Sequence, residues 1–180
     1  ISYSAVYDSS DQDCTPDNNI NTTDQYFDVS EYRFAKDDNV YNGSDFTWVD
    51  ISQYELGTLY EIAQDDTIKG IEVLVGEASS VDEVIYGIIY RFDNGDFVDA
   101  EASPDHDLRA MDIPNGVGEN PPTVFFPFNI PVTAGEIYLP CIGVYNNDDV
   151  TFGNWGAAPI GLSFVNDGTD FGNTTTTPYV

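Results

Sequence analysis

The chain is expected to fold as an all-β protein, a two-sheet antiparallel sandwich of jelly-roll type with long polar loops. Three observations carry this expectation. Apolar residues recur with period two almost throughout, turn residues punctuate the chain at short intervals, and no stretch of twelve residues keeps a helical stripe. Ten or more strands of this spacing suit two packed sheets better than one small barrel.

The elements follow in order. Residues 1–7 alternate as a strand, and residues 8–24 form a long acidic loop with almost nothing apolar. Residues 25–180 are expected to make the sandwich proper, so that 1–180 is a single domain, a usual size at this length. Ile71, Val73 and Val75 alternate with Glu72 and Leu74 as a strand with one buried face. In the next run, Ile85, Gly87, Ile89 and Arg91 interleave with Val84, Tyr86, Ile88 and Tyr90, a β-branched and aromatic composition that suits a strand. Ile137, Leu139 and Cys141 face away from Tyr138, Pro140 and Ile142. Pro140 lacks an N–H, which predicts an edge strand or a bulge at that point. Further strands are expected at 25–34, 46–51, 58–63, 97–101, 123–130, 150–153 and 161–165. Between them stand turn signals such as Asn42-Gly43, Asn94-Gly95, Asn115-Gly116 and Asp167-Gly168.

Charge restricts the partners. Thirty-two acids, 23 Asp and 9 Glu, against five bases leave a net charge of −27. Phosphate binding needs Lys and Arg to displace counterions, so nucleic acid and anionic membrane surfaces are poor partners. No run has the eighteen or so apolar residues of a membrane span, so membrane insertion is not expected. No basic segment followed by an apolar one opens the sequence, which reads as a mature or excised soluble domain. Acids at this density suit a solvated extracellular coat or, in clusters, oxygen cages for calcium. The candidate calcium ligands are Asp93, Asp96 and Asp99, and in the first loop Asp8, Asp11 and Asp13. The competing reading of the first trio is a type I′ hairpin at Asn94-Gly95 with solvated acids beside it. Apart from possible calcium, no cofactor is expected.

Few residues offer chemistry. His106 is the only histidine, so a Ser-His-Asp triad would depend on it alone. It stands in a polar turn and is expected to be structural. The many carboxylates offer too many pairs for any one to stand out as a glycosidase site. No catalytic residue is assigned, and the protein is not expected to be an enzyme. Cys14 and Cys141 either close one disulfide around a loop of about 128 residues, worth about 4–5 kcal/mol, or remain separate thiols. The acid-rich, Lys-poor composition leans toward the bridge and an oxidising exterior. Trp48 is expected in the core, whereas Trp155, among small residues at 153–156, is the candidate for stacking on a sugar.

The run from Asp66-Thr67-Ile68-Lys69-Gly70-Ile71 through Ile85-Tyr86-Gly87 and Asp93-Asn94-Gly95-Asp96-Phe97 to Pro131-Val132-Thr133-Ala134-Gly135-Glu136-Ile137-Tyr138-Leu139 carries a resemblance. It resembles a β-sandwich domain of large secreted and cell-surface proteins in bacteria with type IX secretion, over roughly residues 55–180. The resemblance implies a secreted or cell-surface location and a non-catalytic role in adhesion or ligand binding, with an extracellular glycan or protein as partner. Asp66-Thr67-Ile68 is similar to the short O-glycosylation motif of that group, which makes Thr67 a candidate for modification. Two further functions are weighed beside this one. One is a filament subunit that self-assembles by donating strand 1–7 to a neighbour's sheet edge. The other is a secreted carbohydrate-active enzyme.

Overall fold

The computed structural model describes residues 28–29, 34–35, 40–41, 43, 45–46, 53–119, 121–145, 149–153, 163–168 and 171–173. Among them the protein is all-β, with two antiparallel sheets packed face to face as a sandwich. Four two-residue strands come first: β1 (Asp28–Val29), β2 (Phe34–Ala35), β3 (Val40–Tyr41) and β4 (Asp45–Phe46). Then follow β5 (Tyr54–Thr58), β6 (Tyr60–Glu61), β7 (Asp66–Val73), β8 (Val84–Asp93), β9 (Asp96–Ala102) and β10 (His106–Asp107). The remainder are β11 (Gly118–Glu119), β12 (Val124–Val132), β13 (Ile137–Val144), β14 (Phe152–Gly153), β15 (Ser163–Asn166) and β16 (Phe171–Asn173).

The large sheet runs β10-β8-β13-β5-β15-β16, with β9 beside β8 and β6 beside β13. Facing it, β12 pairs with β7. Past β7 the chain bridges Val75 to Phe152, and β14 pairs in turn with β4. Asp45 fastens this corner, accepting hydrogen bonds from Tyr41 Oη, from the Ala78 amide at 2.9 Å and from Thr151 Oγ1 at 3.1 Å. Burial, and then the bond to Asp45, push the Tyr41 phenol up to about 12.

Alternation decides which side chains meet. In β12, Val124, Phe126, Phe128 and Val132 are buried while Phe125, Pro127, Asn129 and Pro131 are exposed. The buried set packs against Leu56, Ile85, Ile89 and Ile142 of the large sheet. Room for Phe126 comes from Gly87, where a Cβ would stand 3.0 Å from the Phe126 ring. The large sheet is also buried on its other face, where Tyr86, Ile88 and Tyr90 of β8 cluster with Leu139 and Cys141 of β13. Residues 85–90 are therefore buried on both faces of the sheet.

The position of Pro140 corrects one expectation. Its strand is not an edge, because β13 lies between β8 and β5. The ladder to β8 runs unbroken through Pro140↔Ile89. On the other side pairing stops between Cys141↔Gly57 and Tyr138↔Tyr60, and the register resumes unshifted. The missing donor is accommodated by that gap, where Leu59 separates β5 from β6, and no bulge is needed there. Two other prolines obey the edge rule: Pro127 and Pro131 lie on β12, whose only strand partner among the described residues is β7.

The β8–β9 hairpin turns through Asn94 and Gly95, with φ of 54° and 102° between the paired residues Asp93 and Asp96. Two positive φ values in a two-residue loop define the type I′ turn that Asn-Gly favours.

Candidate functional site

Among the described residues, His106 and the two buried carboxylates, Asp112 and Glu55, are engaged in the architecture. His106 Nε2 lies 2.9 Å from Asp112 Oδ2, and the same carboxylate accepts from the Arg109 amide at 2.9 Å and from Arg109 Nε at 3.0 Å. Arg109 Nη2 donates to the other oxygen at 2.9 Å. This clasp closes the loop after β10 onto the core, where the His106 ring meets Phe126 edge-on at 6.1 Å. Asp112 is only 4% exposed. Burial alone would raise its pKa, but the bonds from Arg109 and His106 outweigh burial and bring it down to about 2.

Because the folded value is depressed, the stability it contributes is present above the ordinary carboxylate pKa. It is lost as pH falls from about 4 toward about 2. Asp112→Asn is therefore expected to cost about 2 kcal/mol at neutral pH. It should also flatten the acid limb of stability in that window, as read by urea unfolding at a series of pH values. An acid limb identical to that of the parent would refute this role.

A second constellation lies on the outer face of the large sheet. Glu55 of β5 is 8% exposed. It accepts from Tyr86 Oη at 2.8 Å, Tyr90 Oη at 2.6 Å and Asn166 Nδ2 at 2.8 Å. Burial first, then the bonds to Glu55, raise both phenols well above the ordinary tyrosine value. Cys141 is directly opposite Gly57 in the register and 1% exposed. Its thiol donates to the Leu139 carbonyl at 3.8 Å. Burial, with Glu55 adding to it, pushes the thiol well up, which disfavours the thiolate that nucleophilic chemistry requires. Glu55 is one acid among many in the sequence. Nothing local signals its burial, because its three donors come from β8 and β15.

The candidate calcium residues near the hairpin separate. Asp93 and Asp96 pair at the turn. Asp99 is opposite Tyr90, so alternation places it on the other face of the sheet. Asn94 Nδ2 donates to Asp93 Oδ1 at 3.0 Å. Among the described residues no group of three or more His, Cys, Asp and Glu gathers as a metal site. Thr67 is half-buried in β7, paired with Pro131, and its amide donates to Asp66 Oδ1 at 2.7 Å. Asp8, Asp11, Asp13, Cys14, Trp48 and Trp155 lie outside the described residues.

The feature best suited to hold a ligand is one that attention to tryptophan missed. Phe125 is on the solvent side of β12 and is 58% exposed. Its ring lies over Gly70 of β7, where a Cβ would come within 2.2 Å of Phe125 Cζ. Glycine thus lets the ring settle onto the strand backbone with its outer face open.

Polar pairs bound the ring along the strands. Thr123 Oγ1 donates to Glu72 Oε1 at 2.6 Å on one side, and Lys69 Nζ donates to Asn129 Oδ1 at 2.8 Å on the other. The second pair lies where the register slips by one residue between Pro127 and Ile130. From Thr123 to Asn129 the strip is about 20 Å long at strand rise. The signal for it was in the alternation, since Phe125 is a large aromatic in the polar phase of a strand.

Comparison with family models, with curated proteins and with solved structures gives no match to this chain.

Proposed function

We propose that the chain is a non-catalytic module of a secreted or cell-surface protein that binds a neutral carbohydrate on the solvent face of β7 and β12. The observation that carries this reading is the exposed Phe125 ring seated on Gly70 between two hydrogen-bonded polar pairs. An open aromatic face takes the apolar face of a sugar ring, and flanking amide, hydroxyl, ammonium and carboxylate groups address its hydroxyls. Charge supports a neutral ligand, because a net −27 repels anionic glycans. The non-catalytic reading is supported by the engagement of His106, Asp112 and Glu55 in structural hydrogen bonds.

The test is a survey of immobilised neutral and anionic glycans with the parent chain and with Phe125→Ala. The parent is expected to retain neutral glycans, and the variant to bind them about tenfold or more weakly, on the order of 1.4 kcal/mol. Its unfolding midpoint should barely move, since the ring covers surface and not core. Equal binding by the two proteins, or retention of anionic glycans alone, would overturn the proposal.

A further inference from the structure

We infer that Asn115 is a site of spontaneous deamidation in the folded protein and that the chemically similar Asn94 is protected. Both precede glycine, as Asn115-Gly116 and Asn94-Gly95. The reaction needs no enzyme. The backbone nitrogen of the glycine gives up its proton to hydroxide and attacks Cγ of the asparagine. Water returns a proton to the side-chain nitrogen as its bond to Cγ breaks, ammonia leaves, hydroxide is regenerated, and a five-membered succinimide remains. Water then opens the ring at either carbonyl, yielding aspartate or an iso-linked aspartate. Glycine favours the reaction because no side chain shields its nitrogen and its backbone reaches the necessary conformations freely.

The fold separates the two sites. Asn94 and Gly95 are the two central residues of the type I′ turn, fixed between the paired Asp93 and Asp96, and Asn94 Nδ2 is held by Asp93 Oδ1 at 3.0 Å. Swinging Cγ of Asn94 onto the glycine nitrogen requires the hairpin end to open. Asn115 and Gly116 instead lie exposed in the irregular segment between the buried Pro114 and β11. The space at the glycine Cβ position is open at Gly116 and at Gly95 alike, so the difference lies in the side chain: among the described residues no hydrogen bond holds that of Asn115. Conversion adds one more negative charge, three residues beyond the Asp112 clasp.

The experiment incubates the full chain in physiological salt at mildly alkaline pH. Peptide mass mapping then measures amide loss, and an isoaspartyl methyltransferase labels the iso-linked product. The Asn115 peptide is expected to convert at least about tenfold faster than the Asn94 peptide, the ratio set by about 1.4 kcal/mol of local opening. In urea the two rates should converge, and Asn115→Gln should remove the methyl label from that peptide. Equal rates in the folded protein would overturn the inference. So would an Asn115 that stays intact while Asn94 converts.

Discussion

Replacing Glu55 by alanine is expected to cost about 3–5 kcal/mol, because it strands two buried phenol donors and one part-buried amide at once. For a chain of this length that corresponds to a fall of roughly 10 °C in the unfolding midpoint. The donors belong to Tyr86, Tyr90 and Asn166, all within 2.8 Å of the carboxylate. The two phenols cannot turn to water without leaving a face packed with Ile88, Leu139 and Cys141. Tyr86→Phe removes one donor and leaves Glu55 two partners, so its cost should stay near 1 kcal/mol. The graded pair separates a hydrogen-bond network from mere loss of volume. Thermal unfolding of both variants reads the outcome, and an alanine variant as stable as the parent would show that the network contributes nothing.

The second large effect is expected at Gly57. A Cβ there would stand 2.3 Å from Cys141 Sγ and 2.5 Å from the Pro140 carbonyl oxygen. The strand is held on both sides, by β13 and β15, so the backbone has little room to withdraw. Gly57→Ala should therefore destabilise by about 3 kcal/mol or more. Cys141→Ala removes the nearer obstacle, and in the double variant it should recover part of the loss while the Pro140 oxygen keeps the rest. A double-mutant cycle by chemical denaturation measures this coupling. Strict additivity would mean that Gly57 and the thiol do not compete for the same space.

Much of the architecture was legible because it rests on local alternation. The run 84–91 forms a strand as its alternation and composition predict, and Asn94-Gly95 makes the type I′ turn that the pair favours. Pro140 misled because the edge rule treats a missing donor as a whole-strand property. The sheet instead absorbs it in a gap at Leu59, on one side only. The polar clusters were less legible for a different reason. Glu55 meets donors 31, 35 and 111 residues away, so only the folded chain brings them together. His106 stands out in the sequence as the only histidine, but nothing there marks Asp112, six residues on, as its carboxylate partner. Phe125 could have been found as a candidate, since a strand that turns Val124, Phe126 and Phe128 to the core presents residue 125 on its opposite face.

Carbohydrate binding on the solvent face of β7 and β12 is tested most directly by an amide-resolved NMR titration with neutral hexose oligosaccharides. Saturable shifts are expected at Lys69, Gly70 and Glu72 on one strand and from Thr123 to Asn129 on the other, lost in Phe125→Ala. Shifts confined to the face around Tyr86 and Tyr90, or no saturable shift with any neutral oligosaccharide, would contradict it.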